Sequence, residues 1–267
     1  MNSSYSQDLS VQDGTGIPHL PGSDTNTFWM PDRSTPRPVL CQTWSAWASL
    51  LNAASVVDPT LIPFRYDLVN LGREALARLS SPLSVNFSNA LYTAPISAAL
   101  VTSTGLAYRT LLLDIDQLVA TESAFLVGPW LEAARAWGAN SSDCLIFNVQ
   151  SSCPDFYEWN ARVQITTWNP TPNNADAIPG GPNDYASKHW SGLISDYYAA
   201  RALVAQNMGV AAAGQSWDDK AWKRAKAKLA YDWTTATNSY PTQVVGDALS
   251  ISTAMHAKYA PYFSACA

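Results

Sequence analysis

The stretch PFRYDLVNLGREALARLS, residues 63–80, decides the fold of this 267-residue chain. At 3.6 residues per turn, Leu68, Leu71, Ala75, Leu76 and Leu79 form one apolar stripe. Pro63 suits the first helical turn, where its missing N–H removes no hydrogen bond. Gly72 interrupts the stripe at a cost of about 1 kcal/mol relative to alanine, so a neighbour is expected to pack closely against it.

The same period extends along the chain. GLAYRTLLLDIDQLVA (105–120) is apolar over much of its circumference and predicts a well-buried helix. Leu126, Trp130, Ala134 and Trp137 run down one face of another, which Gly138 can end. PDFYEWNARVQITTW (154–168) opens with a proline, and NDYASKHWSGLISDYYAARALVAQ (183–206) repeats apolar residues at Trp190, Leu193, Tyr197, Ala200 and Val204. Ser216 followed by Asp219 reads as a capping box for a helix through Trp233, and a last helix follows Pro241. No alternating segments paired through tight turns are present, so strands are not expected. The expectation is an all-α fold, a bundle-like domain of seven or eight helices over residues 39–267. Before it, residues 1–38 read as an irregular segment, steered away from helix by Pro18, Pro21, Pro31, Pro36 and Pro38.

Composition narrows the function classes. Hydrophobic residues make up 47% of the chain, enough for a sizeable core. Sixteen basic against 21 acidic residues give a net charge of −5, which argues against nucleic acid as a partner. No apolar run reaches the ~18 residues that a membrane span needs. The opening MNSSYSQDLS lacks the features of a secretory signal, so a signal for export would lie elsewhere. Export to a secreted, lysosomal or vacuolar setting is nevertheless suggested by three glycosylation sequons, at Asn2, Asn86 and Asn140, although so serine-rich a chain carries a sequon or two by chance. The spacing of Cys144 and Cys153 suits a local disulfide, worth about 2.5–3 kcal/mol by loop closure. Cys41 and Cys266 then pair by elimination or remain two free thiols.

The familiar catalytic and cofactor patterns are absent from the sequence: there is no GxSxG, no HExxH and no phosphate-binding loop. His19, His189 and His256 are far apart, so neither a metal site nor a cofactor is expected. The carboxylates Asp114 with Asp116, and Glu122 with Asp155, read as helix faces and first turns rather than as catalytic pairs. KAWKRAKAK (220–228) concentrates five of the sixteen basic residues and could meet an acidic polysaccharide, but reads first as a solvated helix face. The aromatic content, 11 Trp and 12 Tyr, is more informative, because indole and phenol rings stack on the apolar faces of sugars. Trp168 stands out: it ends a helix and precedes the long loop NPTPNNADAIPGGPND (169–184).

Five blocks occur in order: FRYDLVNLGREAL (64–76), AFLVGPWLEAARAW (124–137), DFYEWNARVQITTW (155–168), NDYASKHWSGLISDYY (183–198) and YPTQVVGD (240–247). Together, over residues 40–260, they resemble the C-terminal region of the α-N-acetylglucosaminidases, the family 89 glycoside hydrolases. The resemblance implies an all-α domain that follows a catalytic (β/α)8 barrel. It also implies a glycan with terminal α-linked GlcNAc as partner, cleaved with retention. Retention needs two carboxyl groups about 5–5.5 Å apart. In the family both are barrel glutamates, and the barrel precedes the part matched here, so no catalytic residue is assigned to this chain and it is expected to be inactive alone. The family's pocket-lining Trp and Tyr match Trp168 and Tyr185, and an aliphatic position matches Pro182 by counting alone. His19 is not assigned. The loop before Tyr185 is longer than in relatives, and the family's YYxxRW reads YYAARAL here, keeping Tyr197, Tyr198 and Arg201; Asp67 and Arg162 are read as structural. The expected role is to complete the GlcNAc pocket and buttress a barrel supplied in cis or in trans. The alternative is a free-standing helical carbohydrate-binding or interaction module.

Overall fold

The computed structural model describes residues 37–141, 144, 152–169, 184 and 186–266. The proline-rich segment 1–36, including Asn2 and His19, lies outside the described residues. Eight α-helices are found among the described residues: α1 (Arg37–Ala53), α2 (Ile62–Tyr92), α3 (Ala98–Val119), α4 (Val127–Ala139), α5 (Cys153–Gln164), α6 (Ala200–Ala211), α7 (Asp219–Thr235) and α8 (Ala248–Tyr259). A π-helical turn, Ile194–Ala199, leads into α6, and a 3-10 segment, Ala260–Cys266, follows α8. No strand is present among the described residues; the one β contact is an isolated parallel bridge between Leu126 and Ser191. The chain is all-α.

The quoted stretch opens α2. Pro63 sits in its first turn, and Leu68, Leu71, Ala75, Leu76 and Leu79 are all buried. The helix runs on through Pro82 to Tyr92, about 46 Å at 1.5 Å per residue, and forms with α3 the hairpin at the centre of the molecule. From α3, Tyr108, Leu111, Leu112, Ile115 and Leu118 join the core, while Leu106 and Leu113 face outward. Helices α1 and α8 pack on α2, α6 and the π-turn pack on α3, and α4 and α5 form a second hairpin whose α5 meets α7. An added Cβ at Gly72 would lie 2.6 Å from the Trp47 indole and 2.9 Å from Leu118, so glycine is what lets α1 approach α2. Gly138 likewise admits the backbone of Cys153 and Pro154, and α4 ends one residue after it.

Two expectations are corrected. Residues 183–206 are not one helix. Residues 187–190 have no regular secondary structure, Gly192 has φ +89°, and helical structure starts only at Leu193. The carboxylate of Asp116 takes this segment over, accepting from the backbone N–H groups of Gly192 (2.8 Å) and Ser195 (3.0 Å) and from the Ser191 hydroxyl (3.2 Å). The cap of α7 is Asp218, which accepts from Ala221 N–H at 2.9 Å, not Ser216. The positive stripe is also broken within α7: Lys226 is buried, and Lys228 pairs with Asp232 at 2.6 Å.

Disulfides join Cys144 to Cys153 and Cys41 to Cys266. The second pair links α1 to the 3-10 segment, where Trp44 stacks on Phe263 and His256. Gly72→Ala is expected to cost about 1–3 kcal/mol through overpacking against Trp47. A lowered urea midpoint at unchanged slope checks this, and an unchanged midpoint contradicts it.

Candidate functional site

Trp168 lies just past the C-terminus of α5. Its backbone N–H donates to the Val163 carbonyl at 2.9 Å, and its φ of +56° is a left-handed conformation that side chains other than glycine seldom adopt. The indole is 44% exposed. Asp184 (φ +59°) and Ser187 (φ +44°) are the other two such residues among those described. All three stand at or just beyond the ends of the 169–183 loop. Backbone strain of this kind costs of order 1–3 kcal/mol per residue and persists where surrounding contacts enforce it.

Those contacts are identifiable. The Asp184 N–H donates to the Thr166 carbonyl at 2.5 Å, bringing the far end of the loop back to α5 two residues before Trp168. The Asp184 carboxylate pairs with the Arg201 guanidinium at 2.8 Å, both side chains buried. The guanidinium also lies 5.2 Å from the ring centroids of Tyr197 and Tyr198. Burial alone would weaken the Arg201 charge, but Asp184 and the tyrosine oxygens outweigh it and hold the group firmly protonated. Burial raises the phenols of Tyr108, Tyr197 and Tyr198, so they stay neutral. Tyr185 and Pro182 lie outside the described residues.

Beyond Ser187 the chain forms a strap across the helices. The Arg73 guanidinium approaches His189 Nδ1 at 2.8 Å. Arginine only donates, so Nδ1 accepts and the ring is neutral with its proton on Nε2. Burial, and then the Arg73 charge, push the His189 pKa well below its ordinary value. Ser191 N–H donates to Phe125 O at 2.8 Å, and Val127 N–H to Ser191 O at 3.2 Å. Trp190 packs on Trp130, whose Nε1 donates to the Ala161 carbonyl at 3.1 Å.

The charged groups weighed from the sequence have structural partners. Asp114 holds Lys258 and Tyr259, and Glu122 accepts from Arg65 at 2.8 Å, while Asp155 binds the capping Ser152. Arg162 is fully buried against Glu158, the carbonyls of Trp233 and Asn238, and the rings of Trp233 and Tyr240. No cluster of three or more metal-ligating side chains occurs among the described residues, nor any helix long and apolar enough to cross a membrane. Grooves among the described residues include one of about 690 Å³ between α3, α6 and α7, and one of about 190 Å³ between α4 and α5. Trp168 lines neither. The ion pair that anchors the loop is not legible from spacing: the sequence marks Arg201 as a retained family position, and DY followed by YYxxR is its only sign that Asp184 pairs with it.

These elements define an all-α domain that presents an aromatic side chain beside a loop anchored at both ends. Residues 29–258 match the family described as alpha-N-acetylglucosaminidase (NAGLU) C-terminal domain, and the chain belongs to that family. It is 30% identical over 220 residues to the human alpha-N-acetylglucosaminidase, covering 82% of this chain and 27% of that protein. The chain thus spans about a quarter of that relative's length. The fold is similar to that of a family 89 glycoside hydrolase from Clostridium perfringens. Its complex with PUGNAc superposes with a TM-score of 0.67 at 24% identity, covering 90% of this chain and 26% of that one. A structure of the bacterial protein with its substrate GlcNAc-α-1,4-galactose gives 0.62 at the same identity and coverage.

Removing one partner of a buried ion pair costs about 3–5 kcal/mol, because the other charge is stranded. Arg201→Met is therefore expected to lose that much stability, and adding Asp184→Asn to restore part of it; strict additivity in chemical denaturation would show that the two are uncoupled. For His189, the unfolded chain takes up a proton below about pH 6.5 while the folded ring stays neutral. Stability from this group is complete above pH 6.5 and falls on acidification, at up to about 1.4 kcal/mol per pH unit. His189→Gln should flatten the pH 7-to-5 decline in urea midpoint, and parallel profiles would contradict it.

Proposed function

We propose that this chain is the helical part of an α-N-acetylglucosaminidase-like glycoside hydrolase, where Trp168 and Tyr185 line the GlcNAc pocket and the domain buttresses a catalytic barrel. The observation that carries this reading is the confinement of all three left-handed residues other than glycine, among those described, to the two ends of one loop. An exposed indole at one end and the anchored neighbour of Tyr185 at the other make a rim suited to an apolar sugar face and its hydroxyls. Pro182 falls on the same loop and is assigned there by position alone. Support for the ligand class comes from the bacterial relative, solved with PUGNAc, with 2-acetamido-1,2-dideoxynojirmycin and with GlcNAc-α-1,4-galactose.

In this reading the reaction's two carboxyl groups belong to the barrel. The domain's tasks are to hold the sugar, orient it and exclude water. The helical domain in this reading begins with α1 at Arg37. Two disulfides favour a secreted or lysosomal/vacuolar setting, since such bonds persist in oxidising compartments.

The purified chain should show no turnover of an aryl α-N-acetylglucosaminide. With a family barrel supplied in cis or in trans, Trp168→Ala should raise KM about tenfold, the equivalent of roughly 1.4 kcal/mol of lost stacking, with little change in melting temperature. Equal loss of binding and stability would make Trp168 a packing residue. GlcNAc binding by the chain alone, followed by tryptophan fluorescence, would favour the free-standing module instead.

A further inference from the structure

The far end of the α4–α5 hairpin carries an aromatic surface that the pocket reading does not use. Trp137 is 75% exposed at the end of α4. With Trp130, Tyr157, Asn160 and Gln164 it lines the groove of about 190 Å³ between the two helices. An indole platform flanked by two amides and a phenol is the chemistry of a sugar site, because the ring face takes the apolar side of a pyranose and the amides take hydroxyls or an acetamide. The volume suits one such ring.

The chain carries its own candidate occupant. Asn140, three residues after Trp137, is exposed and heads the sequon Asn-Ser-Ser. It is the C-cap of α4, and side chains three apart on a helix are neighbours about 5–6 Å apart at Cβ. Its Nδ2 donates to the Ala136 carbonyl at 3.0 Å. A primary amide has two N–H bonds and a glycosylated one keeps one, so this hydrogen bond can persist and orient the N-linked sugar. The Tyr157 hydroxyl donates to Ser141 Oγ at 3.2 Å, which ties the sequon to the groove wall. The disulfides place folding in an oxidising compartment, as N-glycosylation requires.

We infer that Asn140 is N-glycosylated and that its first GlcNAc lies on the Trp137 indole in the α4–α5 groove. In the transfer, the Asn140 Nδ2–C1 bond forms as the C1–O bond to a polyprenyl-pyrophosphate oligosaccharide donor breaks. The lipid pyrophosphate leaves, and one Nδ2 proton passes to solvent through the transferase. Asn86 offers no such platform: it is exposed near the C-terminal end of α2, and its sequon Ser88 is buried.

The test uses the whole chain, expressed in a glycosylating eukaryotic host. Peptide mass mapping after trimming to a single GlcNAc should show the sugar on Asn140. The trimmed protein should melt about 2–4 °C above the same protein with Ser142→Ala, which lacks the sequon. In the Trp137→Ala background that difference should vanish, and acrylamide quenching of the Trp137 contribution should fall when the sugar is present. An unmodified Asn140, or an increment that survives Trp137→Ala, overturns the inference.

Discussion

A guanidinium taken out of water carries a dehydration cost of several kcal/mol, and the Arg201 charge persists because three groups share it. Asp184 supplies the countercharge, and the faces of Tyr197 and Tyr198 supply a polarisable wall. These groups come from different segments. Arg201 belongs to α6, the tyrosines to the π-turn, and Asp184 to the end of the long loop. Through its backbone N–H, Asp184 also reaches Thr166 at the end of α5. One charge thus ties the end of the loop to α6 and, through Asp184, to the segment between α5 and Trp168, and left-handed backbone stands at both ends of the loop.

What could be read from the sequence was what is local. The Leu68–Leu79 stripe was legible because burial of one helical face leaves a mark every three or four residues, and Gly72 showed where another helix comes close. The segment from Trp190 to Val204 carried the same mark and was misread. Its spacing is helical, but periodicity is blind to a carboxylate 75 or more residues away. Asp116 takes the N–H groups of Gly192 and Ser195 that a helix through them would have used. The α7 cap shifted by two residues: Ser216 and Asp218 are both good caps, and Asp218 is the one that accepts from the Ala221 N–H. Trp168 was found through ordered motifs and its place before a loop. The Asp184–Arg201 pair was hidden because its partners are brought together by backbone angles that no propensity anticipates.

The two ends of the α4–α5 hairpin divide two tasks. At one end, Trp130 is held by the Ala161 carbonyl and packs against Trp190, close to the strap that leads back to Asp184. At the other, Trp137 faces outward beside a disulfide-closed segment. The same residue type therefore meets two environments along one groove, one tied to the strap by packing and one left more exposed. The strap joins the first environment to the central hairpin through Arg73 and Asp116, so the site's scaffold is continuous with the core.

The Cys41–Cys266 bond closes a covalent ring around nearly all the described helices. A protease that cuts any exposed connection between those two positions opens the ring without releasing a fragment, because both pieces remain tethered. The hydrophobic core can then hold the severed ends in register. That topology lets the helical fold outlast a break in its own backbone.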